Sequence, residues 1–192
     1  MTAGYSYRKS PCLFLVAEDV ILSSYLAYAL ARIAARAADP LAIKLDAALL
    51  TLMGISSASF VGSPLILSTK RDREPDDGVI DKATALADDP QLAANRQGTL
   101  YANPSISDAR VTDMFQGDEV GNTMQLDLAK VQMFFFTIVS ALAFLALVVA
   151  NLVSGNPDFS TLPALSPGIV TALGISHAGY LSSKGLNHTP TQ

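Results

Sequence analysis

The sequence has little of what most soluble enzymes use. It contains one cysteine, two histidines and no tryptophan. A lone thiol, Cys12, excludes both an intramolecular disulfide framework and a cysteine-based zinc site. His177 lies inside an apolar run and His188 in the tail, and a single imidazole without a second ligand is a poor metal centre. No glycine-rich phosphate loop, nucleophile elbow or metalloprotease helix motif occurs, so nothing in the chain argues for an enzyme or calls for a cofactor. Charge is scarce as well: Asp, Glu, Lys and Arg make up 16% of the 192 residues, against about 25% in ordinary soluble proteins.

What the chain does have is apolar residues, 50% of the total, gathered into blocks. Four of them, at about 12–35, 45–68, 131–153 and 162–183, approach the roughly 20 residues that cross about 30 Å of hydrocarbon. The expected fold class is therefore an all-α membrane protein of two transmembrane hairpins, about four helices, with the lipid bilayer as its first partner. The third block is the clearest, having no charge from Val131 to Val153. Pro64, near the end of the second, is tolerable in a membrane helix. The first is the weakest, because Glu18, Asp19 and Arg32 interrupt it. A charge at the bilayer centre costs about 2.5–3.5 kcal/mol on insertion scales, enough for two acids to nearly cancel the segment. Placed about two turns from the start they would cost less, and Arg32 and Arg36 can snorkel outward. The alternative is an amphipathic helix lying on the membrane surface.

Basic residues favour two crossings. Lys70, Arg71 and Arg73 follow the second block and should face the cytoplasm, as should Arg8 and Lys9. Only an even number of crossings between them keeps both groups inside, although Arg32, Arg36 and Lys44 in the intervening loop oppose this. The basic start and Ala35-Arg36-Ala37 resemble a cleaved signal peptide, but the segment is too long and carries Glu18 and Asp19. The expected organisation is a cytoplasmic N-terminus at 1–11, a hairpin at 12–68, a cytoplasmic insert at 69–128, a second hairpin at 129–184 and a cytoplasmic tail at 185–192. The expected location is a membrane, crossed several times, with both termini cytoplasmic.

The two hairpins echo one another. At an ungapped offset of 120 residues, Gly54-Ile55-Ser56 falls on Gly174-Ile175-Ser176, Ala58 on Ala178, Phe60 on Tyr180 and Ser63 on Ser183. Thr51 likewise falls on Thr171, Leu45 on Leu165, Leu22 on Leu142 and Phe14 on Phe134. One hairpin used twice in the same orientation implies a pseudo-two-fold along the membrane normal. Gly54, Ala58 and Gly62, with Gly174 and Ala178, have the spacing that lets helix backbones approach closely, so they are the candidate helix-packing residues. The sharper reading makes the same faces line a narrow path, with Ser56 and Ser176 as polar lining. Glu18, Asp19 and His177 are functional candidates because ionisable groups inside spans are rare. The plainer readings are a headgroup position for the acids and a hydrogen-bonded structural role for the histidine.

The insert differs sharply. Residues 69–128 hold twelve acids and six bases, a net charge of −6 that argues against nucleic acid as a partner. Its first part lacks a sustained period and reads as largely irregular, partly disordered. Asp72, Glu74, Asp76, Asp77, Gly78 and Asp81 resemble a calcium loop, but the glycine is one place late and no glutamate closes it, so a solvated charge run is expected. Ile106, Val111, Met114 and Phe115, followed by Gly117 and Gly121, suggest a short amphipathic helix or turn at the membrane surface. Asp113, Phe115, Asp118 and Glu119 are the candidate partner-binding residues.

Three motifs carry a resemblance: Asp113-Met114-Phe115-Gln116-Gly117-Asp118-Glu119-Val120-Gly121-Asn122, Asp127-Leu128-Ala129-Lys130-Val131-Gln132-Met133-Phe134-Phe135-Phe136-Thr137, and Gly174-Ile175-Ser176-His177-Ala178-Gly179-Tyr180-Leu181. Over about Asp113 to Lys184 the chain resembles an uncharacterised family of bacterial multi-pass membrane proteins. The resemblance implies a similar first hairpin opening on Gln-Met and aromatic residues, where this chain has Ser10-Pro11-Cys12-Leu13-Phe14. It implies no activity. Two functions remain: a membrane-embedded interaction or anchor protein presenting its acidic segment to a cytoplasmic protein, or a channel or transporter component assembled from several copies of itself.

Overall fold

The computed structural model describes residues 12–87, 92–103, 107 and 110–192, without the side chains of 12–15 and 17. Arg8, Lys9, Ser10, Pro11 and Ile106 lie outside the described residues. The described chain is mostly helical: α1 (Cys12–Ala34), α2 (Ala47–Ser68), α3 (Asp77–Ala87), α4 (Leu128–Leu152) and α5 (Pro167–Gly185). Between α3 and α4 lie an antiparallel pair, β1 (Arg96–Gln97) with β2 (Leu100–Tyr101), and a 3-10 helix at Val111–Phe115.

Two helices, α2 with 22 residues and α4 with 25, are long and apolar enough to cross a membrane. At 1.5 Å per residue they extend about 33 and 37 Å. In each, only 28% of the most apolar window is buried, whereas the core helix of a soluble protein would be mostly buried. The expectation of four crossings and an internal repeat goes further than these two helices show.

The side chains are distributed inside out by the standard of a soluble protein. On α4 the buried residues Lys130, Met133, Thr137, Ser140, Phe144 and Val148 recur every three or four positions, while Phe135, Val139, Leu142 and Leu145 are exposed. On α2 the buried stripe is Leu49, Leu52, Ser56, Ser59 and Ser63, and Leu50, Val61 and Leu65 are exposed. On α5 it is Val170, Leu173, His177, Tyr180 and Lys184, with Ile175 exposed. Hydroxyls and ammonium groups face inward and large apolar side chains outward, the arrangement a hydrocarbon solvent favours.

Capping explains the helix limits. Asp46 accepts the Ala48 amide (2.8 Å) at the start of α2, and Asp127 accepts those of Ala129 and Lys130 (3.0 and 3.2 Å) at the start of α4. Asp76 accepts the Gly78 amide (2.8 Å) at α3, so a carboxylate of the calcium-like run serves as a helix cap. α5 begins at Pro167, five residues after the apolar block opens, because proline suits the first helical position behind the capping Ser166. The residues before it are extended: Lys44 and Thr161 form a parallel bridge, and the Leu162 amide donates to the Lys44 carbonyl (3.0 Å). α1 closes in a Schellman motif, Ala37 N–H to Arg32 C=O (3.0 Å) and Arg36 N–H to Ile33 C=O (3.0 Å), with Arg36 at φ 54° where glycine is usual.

By their internal contacts the described residues divide into two compact units. A helical unit comprises 12–60 and 133–178. Its core joins Ile21, Tyr28, Leu49, Leu52, Phe144, Leu162 and Leu173. Tyr28 lies edge-on to Phe159 at 5.3 Å, and its hydroxyl accepts from Asn151 (2.7 Å). In the loop beside it Ser160 hydrogen-bonds hold the exposed Asp158 carboxyl below the usual carboxylate range. A mixed unit comprises 61–132 and 179–192. Its insert carries α3, the β1–β2 pair and the 3-10 helix, and it is packed: Leu92, Leu100 and Val120 are at most 5% exposed. The polar tail is held too, with Thr191 bridging to Pro75 and the Asp76 amide donating to the Pro190 carbonyl (3.0 Å).

Candidate functional site

The mixed unit gathers the C-terminal ends of α2 and α5 and the N-terminal end of α4, and each end supplies a buried lysine. Lys70 follows α2, Lys130 lies in the first turn of α4, and Lys184 in the last turn of α5; their side chains are at most 3% exposed. Burying three ammonium groups demands counter-charges at contact distance. Two adjacent carboxylates provide them. Glu119 pairs with Lys70 (2.6 Å), while Asp118 takes Lys130 on one oxygen (2.8 Å) and Lys184 on the other. Lys70 also donates to the Leu186 carbonyl and Lys130 to that of Gln116 (2.5 Å). The second oxygen of Glu119 receives the backbone amides of His188 (3.1 Å) and Thr189 (3.0 Å).

Local sequence sets this geometry. Gly121 brings the chain close to the tail: its amide donates to Thr189 Oγ1 (3.0 Å), and a Cβ there would collide with the His188 carbonyl. Gly98, at φ 57°, turns the β1–β2 hairpin so tightly against Arg71 that any side chain would overlap its carbonyl. Thr99 then donates its amide to the Lys70 carbonyl (3.1 Å) and accepts that of Val120 (2.9 Å). The space among Lys70, Asp118, Glu119, Asn122 and Lys184 is only about 10 Å³, room for at most one water. A constellation this closed holds segments together.

Three of the four candidate partner-binding residues are therefore corrected. Asp118 and Glu119 are internal counter-ions of the clamp. Asp113, 8% exposed, accepts from the Arg110 amide (2.9 Å) and Asn103 Nδ2 (2.7 Å), fastening the 3-10 helix. Phe115 is half-buried in the same turn. Sequence reading took Lys70 as a topology signal and missed it, Lys130 and Lys184 as a site. The available signal was their position, each within three residues of a span end.

The helical unit holds the other candidates. Ser57 donates to Glu18 Oε1 (2.7 Å), and Ser57 is at the midpoint of α2. Glu18 therefore lies beside the middle of α2. This placement follows from side-by-side packing, which sets α1 by its contacts and not by counting from its start. Asp19 is exposed. His177 Nδ1 hydrogen-bonds Ser59 Oγ (2.8 Å) at mid-α5, because that helix starts at Pro167. Ser56 and Ser176 are both 2% exposed, and among the described residues the Ser176 hydroxyl has no hydrogen-bond partner.

The small residues divide. Gly174 lies against Ile55 Cδ1, 3.4 Å from where its Cβ would stand, and Gly62 against Leu181 Cδ2 at the same distance. Gly54, Ala58 and Ala178 are exposed, and a Cβ at Gly54 meets nothing within 4 Å. Within one chain the packing face of α2 is the serine stripe, and among the described residues Gly54 and Ala58 are not on it. Among the described residues no group of three or more His, Cys, Asp or Glu is placed to hold a metal.

No protein-family model, curated protein or solved structure matches the chain. The family resemblance rests on its three motifs alone.

Proposed function

We propose that this chain is an integral protein of a bacterial inner membrane whose helices anchor a folded cytoplasmic module for recognition by another protein. The observation that carries the reading is the clamp: Asp118 and Glu119 bind lysines from the ends of three helices, so the insert is fixed to them and cannot swing as a loose tether. With those acids consumed internally, the charges left to a partner around α3 are the exposed Asp72, Asp76, Asp77 and Asp81, set against the exposed Arg71, Arg73 and Lys82. A basic protein surface is the complementary chemistry.

Four crossings in two hairpins, with both termini and the insert cytoplasmic, complete the proposal. Supporting the repeat, Ile55–Gly174 and Ser59–His177 bring the two copies of the glycine–isoleucine–serine motif alongside each other, running in the same direction. A pseudo-two-fold along the membrane normal would place them so. Kinship with the bacterial multi-pass family belongs to the same proposal.

A channel or transporter component is the second reading, favoured by the mid-helix Glu18–Ser57 pair. Reconstitution separates the two. Purified protein in liposomes should give no pH or ion flux, and a cytoplasmic partner should co-purify with the wild type but not with Asp77→Lys/Asp81→Lys. Flux abolished by Glu18→Gln or His177→Ala would overturn the anchor reading.

A further inference from the structure

A groove of about 320 Å³ opens between α1 and α4 in the helical unit, lined by Asp19, Ser24, Ala27, Leu145, Val148 and Leu152 among others. Its walls are aliphatic. Ser24 spends its hydroxyl on the Val20 carbonyl (2.7 Å), Ser23 is an uncharged hydroxyl, and Asp19 is the one ionisable group in the lining. Among the described residues Asp19 has neither a hydrogen bond nor an ion pair. Its neighbour Glu18 is satisfied by Ser57, so the two adjacent acids are in different situations.

No counter-ion within the unit reaches Asp19. α4 is uncharged from Val131 to Leu152. The nearest cation further along α1 is Arg32, about 20 Å away along the helix, and it donates to the Asp39 carbonyl (2.6 Å). An unpaired carboxylate on an apolar wall favours a positive charge, and the aliphatic lining favours hydrocarbon around that charge. We propose that this groove binds an amphipathic monovalent organic cation, its charge on Asp19 and its apolar body against Leu145, Val148 and Leu152. This assigns the helices a ligand whether or not the cytoplasmic module has a partner.

The test uses the full chain in phosphatidylcholine nanodiscs with two probes of the same shape and opposite charge, tetraphenylphosphonium and tetraphenylborate. Tetraphenylphosphonium should bind saturably and tetraphenylborate should only partition. Asp19→Asn should weaken the cation by about tenfold to a hundredfold, as expected for removing a contact charge on an apolar wall, and Asp19→Glu should restore most of it. Ala27→Leu, which fills the groove and leaves the carboxylate, should weaken it by about tenfold, and it decides the matter if Asp19→Asn does not fold. Equal binding of both probes, or cation binding within about twofold of wild type in a folded Asp19→Asn or Ala27→Leu protein, overturns the proposal.

Discussion

Glu119 accepts from one ammonium and two backbone amides while 2% exposed. Removing its charge strands Lys70 in a space with room for at most one water. Breaking a buried pair from one side costs about 3–5 kcal/mol, well above the worth of a surface pair. Glu119→Gln should therefore lose about that much stability in a detergent unfolding assay, and a loss below about 1 kcal/mol would show that the clamp is solvated. Arg36 offers the opposite case. It holds a left-handed conformation that costs a side chain about 1–2 kcal/mol, partly offset by the greater chain entropy that glycine loses on folding. Arg36→Gly should stabilise by up to about 1 kcal/mol, read as a higher unfolding midpoint; a lower midpoint would mean that the arginine side chain holds the loop. Neither position could be found from sequence. Charges read along a chain carry no distances, and Asp118 and Glu119 look the same whether they face a lysine or a solvent shell.

Helices were the legible part. α2 and α4 begin and end within about three residues of the apolar blocks, because hydrocarbon length and the flanking Asp46 and Asp127 set their limits. α5 was misplaced at its start, where the apolar run continues through extended backbone and only Pro167 marks the change. The face each helix buries was not legible, since small residues and serines alternate on α2 and either stripe could pack. The structure makes the choice testable. Gly54→Leu and Ala58→Leu point into open space and should stay within about 0.5 kcal/mol of wild type, like Leu147→Phe. Gly174→Leu meets Ile55 and should cost about 1–3 kcal/mol. Equal losses at Gly54 and Gly174 in the same detergent would mean that the outer face of α2 is covered as well.

For the molecule as a membrane protein, sidedness is the decisive expectation. In a Cys12→Ser background, a cysteine at the exposed Asn156 should react with an impermeant reagent in intact cells, and one at the exposed Asp72 only after lysis. Pro75, at the centre of the acidic run, is buried against Thr191 and would report packing instead of sidedness. Labelling of the Asp72 position in intact cells would reverse the topology.

The clamp also fixes an order of events during synthesis. A ribosome makes Lys70 first, the two carboxylates next, Lys130 soon after, and Lys184 only near the end. Until α5 has emerged, Asp118 lacks one of its ammonium partners and Glu119 lacks the tail amides. The acidic segment should remain open to protease on nascent chains halted before residue 184, and become resistant once the tail is complete. Closure of the clamp would then report that the last helix has been delivered, making the finished fold its own record of complete insertion. Early resistance on chains halted at residue 160 would show that the segment folds without waiting for it.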